Sequence, residues 1–188
     1  MEKSKIILKT KRLNLRPLQK GDEETIFPFA NNPKIAKFLT YDTPVTLEKE
    51  AKYVAEREKR FGRKGFYFIA FEKKTKDFVG LIDLHCYHDQ YKRAEVGLWV
   101  QEGKWRKGFG KEIARAIIDF GFKKLKLNRI EYCTFVGNTP SESLIRKLGG
   151  KLEGTRRDYF VKNGKKISDK IYSILRNEWV GKKKRKAK

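Results

Sequence analysis

The chain has 188 residues, which is enough for one domain with a substantial hydrophobic core. Hydrophobic residues make up 39% and aromatic residues 13%, a composition that excludes a disordered protein. No run of about 18 apolar residues is present, and the N-terminus lacks the apolar region of a signal peptide, so we expect a cytoplasmic protein without membrane contact.

Positive charge is the most unusual property of the sequence. Lys and Arg number 46 against 23 Asp and Glu, a formal net charge of +23. This balance favours polyanionic partners such as ribosomes, RNA or an acidic protein surface. The alternative is a lysine-rich surface of the thermophile type, although such surfaces usually enrich Glu as well.

Six of the seven residues in Lys182–Lys188 are basic, and we expect a disordered tail at 181–188 after a single domain at 1–180.

The sequence offers few side chains that bind metals. The cysteines are Cys86 and Cys133, and the histidines are His85 and His88. Their spacing does not match a zinc ribbon or finger, and two cysteines do not make a disulfide framework. We therefore predict buried thiols and no metal.

The first half of the chain predicts strands around two helices. Leu13–Pro17 alternates apolar and polar residues as a strand does. One helix is predicted to begin near Asp22, and Thr46 is suited to cap a second helix with one apolar face. Apolar runs at 66–72 and 78–85, separated by polar residues, predict an antiparallel hairpin.

The stretch Glu95–Lys111 organises the second half. It predicts a strand that ends at Val100, a turn rich in Gly and basic residues, and then a helix. Free backbone N–H groups at the helix start, together with Gly108 and Gly110, make a cradle for a phosphate. The spacing lacks the P-loop and dinucleotide patterns, so a phosphate-bearing cofactor of another kind is predicted. The alternative is a glycine-containing loop before an ordinary helix.

Three further elements complete the chain. Arg129–Phe135 is a β-rich segment that follows a helix, so it is expected to lie parallel to the strand that ends at Val100. Asn138 or Thr139 can cap a helix that ends at Gly149. The last two strands are predicted on either side of a turn at 163–164.

Four segments of the sequence resemble the GNAT acetyltransferases, in particular the RimJ/RimL-type ribosomal-protein N-acetyltransferases. The run Trp-Arg-Lys-Gly-Phe-Gly at 105–110 is similar to the acyl-CoA pyrophosphate loop. Trp105 stands where the general pattern has Gln or Arg, but an aromatic residue is common in this branch. The segment from Asn138 is similar to the family's Asn-x-x-Ser helix, with Gly150 in place of Phe. The third similarity, to the branch's last strand and helix, involves Asp169, Tyr172, Leu175 and Trp179. The fourth is Thr-x-Arg-Leu-x-Leu-Arg-Pro-Leu at 10–18, which is similar to the branch's opening strand, so the resemblance covers about residues 8–179.

The resemblance implies a fold and an activity. The fold is α+β, the layered GNAT acyl-CoA N-acyltransferase fold. Its mixed, mostly antiparallel central sheet splays between the fourth and fifth strands, here the one that ends at Val100 and the one that begins at Arg129. The activity is transfer of an acetyl group from acetyl-CoA directly to a primary amine.

The resemblance also places acetyl-CoA on the glycine loop, the strand before it and the helix that starts near Asn138. Backbone amides of the loop hold the pyrophosphate, and the strand pairs with the pantetheine arm and offers an N–H to the oxyanion. The cofactor-binding residues predicted in this way are Leu98, Trp99, Val100, Arg106, Lys107, Gly108, Phe109, Gly110, Lys111, Asn138 and Ser141.

Glu95 is the predicted general base and Ser141 the predicted donor to the leaving thiolate. Each has a plainer alternative. Glu95 could form a salt bridge with Arg93 or Lys92, because ion-pair networks also place carboxylates in clefts. Ser141 could satisfy a backbone amide in the first turn of its helix.

Other titratable positions remain open. Asp83 and Glu131 are alternative bases. His85 and His88 are more typical of a surface, although His can relay protons near neutral pH. Ile145, which cannot act as an acid, stands where many GNAT enzymes carry Tyr.

Phe38 and Tyr41 are predicted to contact the acceptor amine, because the family places this region on the acceptor side; the alternative is that they are core residues. We expect the acceptor to be a protein N-terminal α-amine of the ribosomal-protein type, with ribosome or RNA contact through the basic surface and tail. The alternatives are a polyamine or aminoglycoside, which a protein of charge +23 repels, and a non-catalytic basic RNA- or ribosome-binding module. The oligomeric expectation is a monomer or homodimer.

Overall fold

The computed structural model describes residues 6–179 as one eight-stranded sheet with helices on both faces. The strands are β1 (Leu8–Lys9), β2 (Leu13–Pro17), β3 (Phe66–Glu72), β4 (Phe78–His88), β5 (Arg93–Val100), β6 (Arg129–Phe135), β7 (Lys151–Lys162) and β8 (Lys165–Leu175). The helices are α1 (Asp22–Ala30), α2 (Pro33–Ala36), α3 (Leu47–Arg60), α4 (Phe109–Lys123) and α5 (Thr139–Leu148). The strand order is β1-β2-β3-β4-β5-β6-β8-β7.

All neighbouring strands run antiparallel except β5 and β6, which run parallel. Parallel neighbours need a crossover connection, and α4 provides it. The predicted α+β fold with a mixed, mostly antiparallel sheet is confirmed.

Strands β5 and β6 separate after a short paired segment. Their register runs from Arg93↔Arg129 to Glu95↔Glu131 and no further. Beyond this point β5 continues beside β4 to Val100, and β6 continues beside β8. The splay between these two strands is therefore confirmed, and it leaves one edge of β5 open to a ligand.

The two faces of the sheet carry separate apolar clusters. The larger cluster lies between the sheet and α4 with α5, and includes Ile113, Ile117 and Leu148. The smaller one joins α1 and α3 to the other face through Ile26 and Val54. Successive side chains of β5 therefore point alternately toward α4 and toward the α1–α3 side.

Local signals at helix ends are confirmed. The Thr46 hydroxyl accepts a hydrogen bond from the Lys49 N–H at 3.3 Å and begins α3. Asn138 caps α5, and Gly149 ends it with φ of 98°. These signals are local because a cap joins atoms only a few residues apart.

Residues 1–5 and 180–188 lie outside the described part of the chain. The predicted basic tail at 181–188 and the domain boundary near residue 180 therefore stay predictions. Among residues 6–179, no helix is long and apolar enough to cross a membrane.

Candidate functional site

The loop between β5 and α4 passes twice through left-handed backbone. Arg106 has φ of 58° and Gly108 has φ of 81°, and Gly108 is the N-cap of α4 without a side-chain cap bond. The N–H of Glu112 donates to the Gly108 carbonyl at 3.2 Å. The N–H groups of residues 109–111 come before this bond and are the donors that a helix start leaves without an intrahelical partner.

These donors make the loop suited to a pyrophosphate. Left-handed turns and a helix N-terminus direct N–H groups toward one anion, and the helix dipole adds positive potential. Gly108 is required by its left-handed φ, whereas a Cβ at Gly110 would meet Val100 Cγ2 at 3.7 Å and Leu144 Cδ2 at 3.8 Å, which are ordinary contacts. Lys111 is exposed in the first turn of α4. The residues present thus fit the phosphate end of acetyl-CoA.

Arg12 and Glu112 together support the backbone of the loop at 105–111. The Glu112 carboxylate accepts hydrogen bonds from the Thr10 hydroxyl at 2.5 Å, the Arg12 N–H at 2.8 Å and Arg12 Nε at 2.7 Å. Arg12 also donates to the Lys107 carbonyl at 2.9 Å and covers the Phe109 ring at 4.2 Å. Burial opposes ionisation of Glu112, but the bonds from Thr10 and Arg12 hold its pKa below the usual value.

The open edge of β5 presents the backbone of alternate residues. The Gln101 N–H donates to the Val79 carbonyl at 2.9 Å, which fixes which residues of β5 bond to β4. In an antiparallel pair such residues alternate. Trp99 therefore directs its backbone groups at β4, while Leu98 and Val100 direct theirs into the gap beside β6.

Trp105 already occupies part of this edge. Its indole Nε1–H donates to the Val100 carbonyl at 2.6 Å, and the residue is 38% exposed. A pantetheine arm that pairs with the edge thus finds the Leu98 carbonyl and the Val100 N–H facing it, and meets the indole at the Val100 carbonyl.

Ser141 lies at the other wall of the gap, next to a tyrosine. Its hydroxyl is 3.0 Å from the hydroxyl of Tyr132 on β6, and its N–H donates to the Asn138 side chain at 3.4 Å. Burial raises the pKa of Tyr132, so the phenol stays protonated near neutral pH. Ile145 is buried at 2% exposure and offers no proton. Tyr132 and Ser141 are together the proton-bearing pair on this wall.

The opposite face of β5 carries a row of three titratable side chains. His85 Nδ1 lies 2.7 Å from Asp83 Oδ1, and His85 Nε2 lies 3.3 Å from Glu95 Oε1. His85 and Glu95 face each other across β4 and β5. Gly97 leaves room for the Asp83 carboxylate, because a Cβ there would come within 2.9 Å of it.

This row places a cation between two carboxylates. Burial alone lowers the pKa of His85, but hydrogen bonds to Asp83 and Glu95 outweigh it and raise the pKa to about 10. Burial alone raises the pKa of Glu95, but the bond and charge of His85 outweigh it and lower the pKa. His85 is thus an imidazolium at neutral pH.

The predicted alternative in which Glu95 pairs with Arg93 or Lys92 is wrong. Arg93 lies 3.7 Å from Glu131, and Lys92 lies 2.7 Å from Asp89. Arg93 is thus engaged by a carboxylate of the neighbouring strand β6, and Lys92 by one in the turn before β5.

The structure also shows the partners of the other titratable residues that the sequence left open. Glu131 pairs with Arg129 of the same strand, β6, at 2.7 Å, so its carboxylate is engaged there. The His88 ring stacks on Tyr91 with 4.3 Å between centroids. Of the titratable positions left open, Asp83 and His85 join the row that contains Glu95.

Residues of β6 and β7 lie next to the row of Asp83, His85 and Glu95. The Cys133 thiol bonds to Glu95, and burial raises its pKa to about 12. Arg156 forms a two-point ion pair with the buried Asp169. The prediction of buried thiols is wrong for Cys86, which is exposed, because an irregularity in β4 turns it outward; Cys133 is half-buried.

Phe38 and Tyr41 lie in the segment between α2 and α3. The Tyr41 hydroxyl donates to the Ala30 carbonyl at 2.8 Å, and burial raises its pKa to about 12. Phe38 is half-buried, with Lys37 Nζ 5.2 Å from its ring. Neither belongs to the two apolar clusters of the described residues. Their contact with an acceptor stays a prediction.

Sequence reasoning missed Arg12, Gly97, Tyr132 and Arg156. Arg12 had a weak signal in the sequence, since it lies in the opening segment at 10–18 that resembles the RimJ/RimL branch. Tyr132 and Arg156 had none, because each acts through a partner on another element.

A family model described as "Acetyltransferase (GNAT) domain" matches residues 12–151. The N-acetyltransferase YoaA of Bacillus subtilis, which is named as uncharacterized, is 30% identical over 175 residues, 90% of this chain and 97% of that protein. The p20 protein of Bacillus licheniformis, similarly named, is 31% identical over 93% of this chain and 98% of its own. Bacillus subtilis YdaF, provisionally named a ribosomal N-acetyltransferase, is 35% identical over 55% of this chain and 57% of its own.

Solved structures show the same fold around different acceptors. The ribosomal-protein-S5-alanine acetyltransferase of Vibrio fischeri superposes with a TM-score of 0.81 at 19% identity, covering 93% of this chain and 98% of that one. The spermidine N-acetyltransferase of Vibrio cholerae, in complex with CoA and spermine, gives 0.81 at 22% identity over 91% and 99%. Since both fit equally well, the fold does not identify the acceptor.

Proposed function

Because the chain belongs to the GNAT acetyltransferase family, we propose that the amine it acetylates is a protein N-terminal α-amine of the ribosomal-protein type. The enzyme itself is an N-acetyltransferase that uses acetyl-CoA. The acceptor, the residues and their roles below are parts of the proposal.

The observation that carries the choice of acceptor is the position of the basic β7–β8 hairpin. It exposes Lys151, Arg157, Lys165 and Lys166. Lys162 ties the hairpin to the acceptor segment by donating to the carbonyls of Ala36 and Leu39, each at 2.6 Å. A polyanionic particle that carries the N-terminus can therefore dock beside the acceptor cleft, whereas a polycation is repelled.

The amides of residues 106–111 hold the pyrophosphate, and the open edge at Leu98 and Val100 positions the pantetheine arm. Acetyl-CoA supplies the thioester whose acetyl group is transferred. The Val100 N–H is placed to stabilise the oxyanion. These residues position the acetyl group between the edge of β5 and the α1–α3 side, where the amine enters.

Glu95 accepts the proton that the amine releases, directly or through one water. An α-amine has a pKa near 8 and is partly neutral at pH 7, so this step is small, whereas a lysine-like amine near 10.4 stays protonated. The N–C bond forms as the C–S bond breaks, and Ser141, hydrogen-bonded to Tyr132, passes a proton to the thiolate. The proton that Glu95 took from the amine returns to solvent, and solvent restores the proton of the Ser141–Tyr132 pair.

The test is a comparison of acceptors at constant acetyl-CoA. Peptides with a free α-amine, the same peptides with a blocked N-terminus and an internal Lys, and spermidine are assayed for CoA release. We expect kcat/KM to be highest for the free α-amine. A higher value for spermidine would overturn the acceptor assignment, while no CoA release with any amine would overturn the site assignment.

Docking is tested with ribosomal particles. The double variant Lys165→Glu/Lys166→Glu is expected to lower the rate on particles and leave the rate on short peptides unchanged. The double variant Lys49→Glu/Lys52→Glu, at exposed positions of α3, is the matched control for the same change in charge. Equal rates for both variants on particles would contradict docking through the hairpin.

A further inference from the structure

We propose that His85, Cys86 and Glu95 form a binding site for a divalent transition-metal ion of the zinc class, and that the bound ion inhibits acetyl transfer. Inhibition rests on the base role proposed for Glu95, whereas metal binding does not. The three residues each offer one ligand atom, and these atoms lie within 4.8 Å of one another.

Two of the donors already have the spacing of metal ligands. His85 Nε2 and Glu95 Oε1 are 3.3 Å apart. Bonds of about 2.0–2.1 Å from nitrogen and oxygen to one zinc ion, at a tetrahedral angle, place these atoms about 3.3–3.4 Å apart. An ion can therefore replace the proton between them without moving either strand.

The histidine has the outer partner that metal-binding histidines have. Such a ring usually donates its second N–H to a carboxylate, which fixes the ring and strengthens its donor atom. Asp83 Oδ1 accepts from His85 Nδ1 at 2.7 Å, so Nε2 is the atom aimed at Glu95.

The backbone brings the thiol to the same side as the imidazole. Successive side chains of a regular strand point to opposite faces, so residues 85 and 86 would normally separate. In β4 the register shifts between His85 and His88, and Cys86 has φ of 47°, in the left-handed region that a non-glycine residue rarely adopts. This turn is why Sγ of Cys86 lies within reach of the other two donors.

The donor set selects the kind of ion. Imidazole and thiolate favour zinc-like ions, while magnesium and calcium prefer oxygen ligands alone. Cys86 is exposed, so an ion can enter from solvent. Binding displaces the proton on Nε2 and the proton of the thiol. The ion then holds the Glu95 carboxylate oxygen that would accept a proton from the amine.

The binding test uses cobalt(II) as a spectroscopic substitute for zinc on the full chain without acetyl-CoA. We expect one ion per chain and a near-ultraviolet thiolate-to-cobalt absorption that added Zn²⁺ removes. Cys86→Ser is expected to abolish this absorption and to weaken binding by at least about 10- to 100-fold, because the loss of a ligand's outer partner already costs that much. Equal melting temperatures for Cys86→Ser and the unmodified chain confirm that the variant folds.

Two matched controls locate the site. His88→Gln removes the other histidine of the same irregular segment, and Cys133→Ser removes the other cysteine. Both are expected to keep the absorption. Loss of the absorption in Cys133→Ser but not in Cys86→Ser, or no absorption in the unmodified chain, would overturn the site.

The inhibition test measures acetyl transfer with increasing Zn²⁺. The unmodified enzyme is expected to lose activity over the range in which it binds the ion, while Cys86→Ser keeps full activity over that range. Binding without inhibition would overturn the inhibitory role and count against Glu95 as the base, with the metal site itself intact. An enzyme without activity at zero Zn²⁺ would instead contradict the proposed function and leave the cobalt result standing.

Discussion

The two faces of β5 offer a ligand different parts of the chain. On the α4 face, the loop at 105–111 and the edge at Leu98 and Val100 present backbone amides and carbonyls. On the α1–α3 face, Asp83, His85 and Glu95 present side chains from two strands. A pyrophosphate needs only converging N–H groups, whereas removal of a proton from an amine needs a specific carboxylate. Cofactor binding and catalysis should therefore respond separately to mutation.

The strongest test of this separation is Glu95→Gln. The amide keeps the size of the side chain but cannot accept the amine proton, so kcat is expected to fall about 100- to 10,000-fold. Affinity for acetyl-CoA, measured by calorimetry, should not change. Glu131→Gln, on the partner strand, is the control and should retain kcat within a few-fold. A parallel loss of acetyl-CoA affinity in Glu95→Gln would show that the two faces are not independent.

The complementary test changes the glycine loop, with Gly108→Val. Its φ of 81° is costly for a β-branched residue, and a Cβ there would meet Arg12 Nη2 at 3.5 Å. We expect the Kd for acetyl-CoA to rise about 30-fold or more, which corresponds to about 2 kcal/mol. Gly164→Val has the same conformational strain, at φ of 70°, but lies in the β7–β8 turn. If Gly164→Val weakened acetyl-CoA binding equally, general destabilisation and not the loop would explain the effect.

A smaller effect is expected behind the loop, at Glu112→Gln. The amide retains one acceptor oxygen where the carboxylate receives three hydrogen bonds from Thr10 and Arg12. Loss of a charged hydrogen bond costs about 1.5–3 kcal/mol, so the midpoint of urea unfolding should fall. Acetyl-CoA affinity should fall a few-fold because Arg12 also holds the Lys107 carbonyl. Glu56→Gln, in an exposed pair on α3, should change neither quantity.

The smallest predicted effect concerns Glu153 of β7, where a change should alter stability and not catalysis. Hydrogen bonds from Arg129 and Ser173 lower the pKa of Glu153 from 4.5 to about 2. Since the folded pKa is the lower one, this stabilisation is present above pH 4.5 and is lost as pH falls toward 2. Glu153 is 41% exposed, so the gain is below about 1 kcal/mol. Glu153→Gln should lower the melting temperature slightly at pH 7 and not at pH 2, with kcat unchanged; an equal difference at both pH values would exclude the ion pair as its cause.

The sequence predicted the backbone half of the site well. The loop needs glycine at a fixed distance from a helix start, and the α5 cap joins Asn138 to a residue three positions away. Such requirements involve residues only a few positions apart, so the spacing of residues in the sequence reveals them. The parallel pairing of β5 and β6 also followed from a helix between two strands.

The side-chain half depends on register. Glu95 was selected from its place at the start of a strand, but its partner His85 was assigned to the surface. The pairing His85↔Glu95 exists because the irregularity in β4 sets the alignment with β5. Tyr132 reaches Ser141 only because β6 and α5 pack together. A shift of one residue would exchange the faces of all these side chains.

Sequence alone thus determined the family resemblance, the strand–loop–helix unit proposed for acetyl-CoA and the positive charge. Each of these depends only on neighbouring residues or on composition. Tertiary structure alone determined which carboxylates meet His85, that the Cys86 thiol turns to the same side, and that the basic hairpin lies at the acceptor segment. Those contacts join residues up to 126 positions apart. The physical reason is that a local pattern fixes backbone conformation, whereas contacts between distant side chains depend on strand register and packing, which the whole chain sets together.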